Sequence, residues 1–566
     1  MSVGMKLHFL VLLLSLTFLS PLQAADENLE QERIRQRVEQ IRSGSGLEIE
    51  GNQISSGLVL PALYEQRDYT LIWSRQESVN QLFNALENID EDGLSPADYH
   101  IDKLRELRSR IENAQLSDTG IAADYDILLT DSLIRLGYHL LAGKVDPVQL
   151  DSNWNMDQAI GSLDMILQMA QSIDTAMVTE LVESLRPQWP VYPMLKAALM
   201  RYRLIEQQGG WPSVPEGVVL KRGMSDPRVT DIRKRLAVTG ELSAAESGST
   251  LYDEAVEIAV EQFQRHHNLA ADGATGAATR AAMNVPVEDR IEQIRVNLER
   301  ARWVLHNLPD EFVLVDIAGF QVHYFRGGKP VWRTRAQVGT PFRKTPVFKS
   351  TITYLEINPT WTVPPTILNK DILPKLWDDP AYLQKRDMQV IQYNGTPVDA
   401  STIDWSLYPG KDFPYLIRQN PGPRNALGRI KFMFPNEHLV YLHDTPSKSL
   451  FERSERTFSS GCIRIENPYS FAELLLKSDE WDTEKIVEVV DSKIKISVSL
   501  PSPVTVVLLY WTVNAETDEH IVFKKDIYNR DAAILVGLKQ PFKFRKNPII
   551  NPDEKTKSSN KSNQMK

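Results

Sequence analysis

The sequence contains one cysteine in 566 residues, Cys462, so no disulfide within the chain can hold any part of the fold. It also lacks any surplus of positive charge. Lys and Arg number 64 against 74 Asp and Glu, 64 − 74 = −10, which removes the electrostatic basis for a nucleic-acid partner. No apolar run reaches the ~18 residues that span a bilayer, the longest being Leu7 to Leu19. No cysteine follows that run, which excludes a lipoprotein anchor. His and Cys clusters of metal-ligand type are missing too: His266 and His267 are adjacent, and neighbours on a helix diverge by about 100°, so they chelate poorly together. Neither a metal nor a cofactor is expected.

What is present reads as several folded units. The content of 42% hydrophobic and 24% charged residues is ordinary for a globular chain, and the length suggests three or four domains. Residues 1–24, with Lys6, the apolar run and small residues at Ala24 and Ala25, read as a signal peptide, so the mature protein is expected to be exported and soluble. Residues 25–210 carry apolar positions at three- and four-residue spacing, as in "DILLTDSLIRLGYHLLAG", and read as a helical scaffold. Its His100 and His139 are read as surface or core residues. Gly209, Gly210, Pro212 and Pro215 mark a boundary. In 211–286 the stripe Val229, Ile232, Leu236 and the pattern Phe263-Gln264, Leu269, Asp272-Gly273, Gly276, Thr279 resemble a three-helix peptidoglycan-binding module, with "SAAESGST" as an insert. Residues 287–500 turn β-rich, interrupted at about 366–418 by a mixed segment read as a cap. A strand and helix extension, 501–543, is expected to pack on the core, and 544–566 to be a disordered tail.

In an exported chain a lone thiol is a liability unless it is buried or used. The stretch "RTFSSGCIRIENP" suggests use. Gly461 permits a sharp turn, and amides around Ser460, Gly461 and Cys462 can face a developing oxyanion. Arg464 shares a strand face with Cys462, where it could favour a thiolate, bind a substrate carboxylate or form an ordinary ion pair. His443, closing the apolar run "HLVYLH", is the candidate base, with enough chain between it and Cys462 to return on a neighbouring strand. Asn467 and Pro468 are placed to start a helix that braces the turn.

The set "YLHDTP" followed by "FSSGCIRI", through Tyr441, His443, Asp444, Ser459, Ser460, Gly461, Cys462 and Arg464, resembles the L,D-transpeptidases of bacterial cell walls. Most of that family carry His directly before Gly-Cys. Ser460 stands there instead, as in its large periplasmic subclass, and leaves His443 as sole base. The resemblance implies an α+β multidomain chain with a helical N-terminal scaffold, a three-helix peptidoglycan-binding-like module and a β-sandwich-like catalytic domain with a capping insertion. It implies acyl transfer through a Cys462 thioester, with the Asp444 carbonyl holding the His443 tautomer, periplasmic location, and peptidoglycan stem peptides, glycan and other cell-wall synthases as partners. The segment "EINPTWTVPPTI" is similar to the family's donor-cleft lining through Asn358, Trp361 and Pro364, although Trp361 equally suits core packing. Tyr441 and Ser459 are expected beside the substrate. Gly428, Lys431 and Phe432 read as fold residues.

Overall fold

The computed structural model describes residues 21–543 apart from 45, 58, 114–119, 152–153, 157–162, 244–247, 380, 409–412 and 516–519. The expected tail and all but the last four residues of the expected leader lie outside the described residues; residues 21–24 open the helix Pro21–Arg42. Helix α1, Ile121–Ala142, runs through the middle of the scaffold and is apolar on nearly every face, so it is buried along its length. Its polar residues are paired. Asp126 accepts from Tyr64 and from the Ile72 and Trp73 amides, and Asp131 from Ser56, His100 and Arg135. Helix α3, Val287–Val304, packs against it and against helix α2, Val191–Gln207.

The module is three helices, Arg228–Thr239, Glu254–His266 and Ala277–Met283, around a separate core of Val229, Ile232, Leu236, Val260 and Phe263. Its sequence motif has a physical basis. The Gln264 amide donates to Asp272 (2.7 Å), the Ala274 carbonyl (3.0 Å) and Thr279 (3.1 Å), and accepts from Gly273 N–H (3.0 Å), so one side chain closes the turn.

The β-rich region is one nine-stranded sheet: β1 Phe312–Asp316, β2 Gln321–Arg326, β3 Lys329–Gly339, β4 Phe348–Ile357, β5 Ile430–Met433, β6 Leu442–His443, β7 Thr457–Ser459, β8 Ile463–Ile465 and β9 Ile496–Leu509. The spatial order is β7-β3-β8-β6-β5-β4-β9-β1-β2, and β2 also pairs with β3. The long β3 makes this possible: its first part pairs with β2 and its last residues with β8, so the expected sandwich-like layers are one sheet closing on itself.

Two expected boundaries shift. A break at 500 falls inside β9, which continues to Leu509 because the register shift between Ser499 and Val504 absorbs Pro501 and Pro503. The cap begins at the strand Trp361–Thr362 and ends with Leu416–Gln419, which pair antiparallel and bring its entry and exit together. Between them lie two more short strands, several helical turns and a private core including Val363, Leu373, Leu376, Val390 and Ile417.

Candidate active site

Strands β6 and β8 run parallel, with Leu442 opposite Ile463 and His443 opposite Arg464. Because side chains alternate across a strand, Leu442, Ile463 and Ile465 turn inward, all fully buried, and Tyr441, His443, Cys462 and Arg464 share the other face. Flanking strands extend the polar row. Gln337 on β3 lies opposite Arg464, Lys431 on β5 opposite His443, and Glu356 on β4 opposite Lys431. Cys462 and His443 are diagonal neighbours; a strand spacing of about 4.8 Å and a two-residue offset of about 6.6 Å put their Cα atoms roughly 8 Å apart.

The turn that leads into Cys462 is built by Ser459. Its hydroxyl donates to the Cys462 carbonyl (2.5 Å) and accepts from Gly461 N–H (3.1 Å). Gly461 has φ of 118°, a conformation that side chains disfavour. The expectation that Ser459 touches substrate is therefore corrected: it is 3% exposed and its hydroxyl is consumed inside the turn. The Gly461 amide is likewise spent on Ser459. Among the described residues, the amides of Ser460 and Cys462 have no recorded acceptor and are the donors left for an oxyanion. The exposed Ser460 hydroxyl accepts from Arg343 (2.8 Å).

Cys462 is half-buried, and its thiol points to the Leu439 carbonyl, 3.7 Å away. Burial pushes the thiol up from its ordinary value, against the opposing pull of the Tyr441 main chain and of the Lys431 and Arg464 charges. His443 is 3% exposed. Its Nδ1 donates to the Asp444 carbonyl (2.5 Å), and burial, followed by the Arg464 charge, lowers the imidazole to about 3. Asp444 is itself fixed, its carboxylate accepting from Arg429 N–H (2.8 Å) and Lys448 (2.6 Å). A Cβ on Gly428 would strike that carboxylate at 2.4 Å. The resting site thus pairs a protonated thiol with a neutral imidazole. Between those two side chains no hydrogen bond is recorded among the described residues, so the sulfur must leave Leu439 to engage the ring.

Arg464 donates to Gln337 (3.3 Å), and its buried Nε has no partner among the described residues. Lys431, which the sequence suggested was a fold residue, belongs to this face. Its ammonium lies 3.8 Å from the Tyr441 ring centre, and burial lowers its pKa. The alternation Ile430-Lys431-Phe432 signals an outward side chain, but its register with His443 emerges only from the sheet. Asn358 is a second correction. It is fully buried at φ 52°, and its amide donates to the Val489 (2.9 Å) and Ile494 (3.2 Å) carbonyls, so it braces the end of β4 and lines no cleft. Trp361 packs half-buried against the cap core, the packing alternative of the two expected for it.

Residues 310–493 match the L,D-transpeptidase catalytic domain (YkuD), residues 59–199 the Scaffold domain, and residues 225–283 a family described as "Putative peptidoglycan binding domain". A Haemophilus influenzae protein described as "Putative L,D-transpeptidase" is 36% identical over 245 residues, covering 43% of this chain and 49% of that protein. The chain thus spans about half the length of that relative. Crystal structures of L,D-transpeptidases from Xylanimonas cellulosilytica (15% identity, 52% of this chain and 99% of that one, TM-score 0.18) and Stackebrandtia nassauensis (12%, 53% and 96%, TM-score 0.21) superpose too loosely to carry an argument.

Proposed function

We propose, for a chain whose residues 310–493 form an L,D-transpeptidase catalytic domain, that Cys462 is the nucleophile of a peptidoglycan transpeptidase that makes 3→3 cross-links. The observation that carries this reading is the placement of Tyr441, His443, Cys462 and Arg464 on one face of adjacent strands, with a cap whose Asp371 reaches Ser460 through Arg343. The donor is a tetrapeptide stem with diaminopimelate at its third position. His443, neutral above about pH 3, accepts the thiol proton as the sulfur attacks the third-residue carbonyl. Lys431 and Arg464 favour the thiolate as it forms. The amides of Ser460 and Cys462 receive the oxyanion. The bond to the terminal D-Ala breaks, its amine takes the proton from the imidazolium, and a thioester remains. A side-chain amine of a second stem's diaminopimelate then attacks the thioester carbonyl and passes its proton to His443, expelling the sulfur and forming the cross-link. A closed cap favours an amine over water as acceptor. The substrate places the enzyme at the wall, outside the cytoplasm, and the 225–283 module is suited to hold it there.

The test combines intact-mass measurement after a carbapenem with product analysis on disaccharide tetrapeptides. Wild type is expected to gain one adduct and form dimers, and Cys462→Ala to do neither. Tripeptide products without dimers would reassign the chain as an L,D-carboxypeptidase, and an unmodified wild type would sink the catalytic reading.

A further inference from the structure

Beside the strands at its base, the cap is joined to the catalytic body by two ion pairs among the described residues. Arg424 pairs with Asp387 close to the strand that leaves the cap. The other lies over the nucleophile turn. Arg343, in the loop from 340 to 347 between β3 and β4, places Nη1 2.5 Å and Nη2 3.1 Å from the two carboxylate oxygens of Asp371 in the cap, and Nη1 also donates to Ser460 at 2.8 Å. One planar cation therefore touches the cap and the residue two before Cys462.

The same loop grips the turn from within. Thr345 donates to the Gly461 carbonyl (2.9 Å) and accepts from Gly339 N–H (2.9 Å). Tyr528 donates to the Gly339 carbonyl (2.7 Å) and accepts from Thr345 N–H (3.2 Å). The inner side of the turn is held irrespective of the cap; its outer side, at Ser460, is held through Arg343. Since the cap buries its own apolar residues apart from the main core, it can lift without exposing that core.

We propose that Arg343 is a positioning residue that couples closure of the cap, through Asp371, to the geometry of the nucleophile turn, through Ser460. With the cap down, Asp371 fixes the guanidinium and the guanidinium fixes Ser460, so the free amides flanking Gly461 face the substrate carbonyl. With the cap up, Arg343 loses its carboxylate and the outer side of the turn loosens. Acylation is thereby tied to a covered site. The inference rests on Cys462 being the nucleophile.

The test uses full-length Arg343→Met, Asp371→Asn and the double variant. Because the chain has one cysteine, iodoacetamide alkylation reports Cys462 alone. A half-buried ion pair that water still reaches holds a closed state by a modest margin, so both single variants should raise the alkylation rate about two- to fivefold and speed hydrogen exchange across 365–376, with the melting midpoint unchanged. Arg343→Met should also slow carbapenem acylation about tenfold by misplacing the turn, more than Asp371→Asn does, and the double variant should match Arg343→Met. Arg343→Lys, which keeps the charge but not the fork, should restore alkylation and exchange to wild-type values without restoring acylation. Unchanged alkylation and exchange in both single variants, or effects that add in the double, would overturn the latch. Neither readout depends on the identity of the acceptor, so a failed latch is distinct from a failed transpeptidase reading, which the Cys462→Ala adduct test decides.

Discussion

Lys431 has no carboxylate within ion-pairing distance among the described residues, since Glu356, its neighbour across the strands, is held by Lys495 at 2.7 Å. Its charge acts on the sulfur as well as on Glu356. The titratable groups on the sheet face of Cys462 are Tyr441 just before β6, His443 on β6, Arg464 on β8, Lys431 on β5, and Tyr354 and Glu356 on β4, of which Lys431 and Arg464 pull the thiol down against burial. Thiolate, and with it the iodoacetamide rate, should rise as pH rises through a thiol pKa above the ordinary value. No inflection is expected near 6.5, because His443 stays neutral down to about 3. Replacing Lys431 by Met should move that rise up by about one unit and cut the rate at pH 8 by about tenfold, and Lys431→Arg should keep the wild-type profile. An unchanged profile in Lys431→Met would assign Lys431 to packing alone. Cys462, His443 and Arg464 were legible in the sequence because thiol, imidazole and guanidinium close to a Gly turn have few other reasons to occur together. Lys431 was not, because a lysine in a strand has an ordinary solvated alternative, and only the β5–β6 register removes it.

On the proposed mechanism, the turn from Ser459 to Cys462 is the element that sets the acylation geometry. A Cβ on Gly461 would meet the Lys344 carbonyl and Val440 Cγ2 at 3.6 Å, ordinary contact, so the cost of Gly461→Ala lies in the backbone at φ 118° and amounts to about 1–3 kcal/mol of local strain. The variant should fold, with carbapenem acylation slowed about tenfold or more while far-ultraviolet circular dichroism is unchanged. Acylation at the wild-type rate would show that the amides around the turn do not set the reaction geometry. The sequence disclosed that a turn was needed but not how it is tied. Ser459 and Asn358 are polar residues in family-like segments, and nothing local tells whether such a side chain faces substrate or satisfies neighbouring main chain. Their bonds to the Cys462, Val489 and Ile494 carbonyls are long-range facts or consequences of one φ value. The limits of β9 and of the cap were obscured for a similar reason: the bulge that carries two prolines, and the pairing of Trp361–Thr362 with Leu416–Gln419, are properties of the sheets they join.

Across the whole molecule, α3 joins scaffold to catalytic sheet. On one side Gln293, Asn297 and Arg300 bond the Thr512 and Lys524 main chain or the Thr512 hydroxyl in the C-terminal extension. On the other, the fully buried pair Glu299–Arg302 (2.6 Å) holds the scaffold. Glu299 accepts from Val145 N–H (2.6 Å), and Arg302 donates to the Asp92 carbonyl (2.8 Å) and the Tyr192 hydroxyl (3.1 Å). Ile291, Ile294 and Leu298 carry helical spacing, but "NLERARWV" by itself shows an ordinary i, i+3 pair, and its burial is known only once α1 and α2 are in place. Glu299→Ala leaves a buried guanidinium without its carboxylate, which costs about 3–5 kcal/mol. That loss falls on the scaffold side, since the bonds of α3 to Thr512 and Lys524 are untouched. Calorimetry should show the scaffold unfolding in a separate, earlier transition than the catalytic sheet, with carbapenem acylation of Cys462 at 25 °C kept at the wild-type rate. If the variant melts in one transition at the wild-type temperature, the pair does not hold the scaffold to α3. If acylation is lost below the first transition, the scaffold acts on the nucleophile turn and is more than a support.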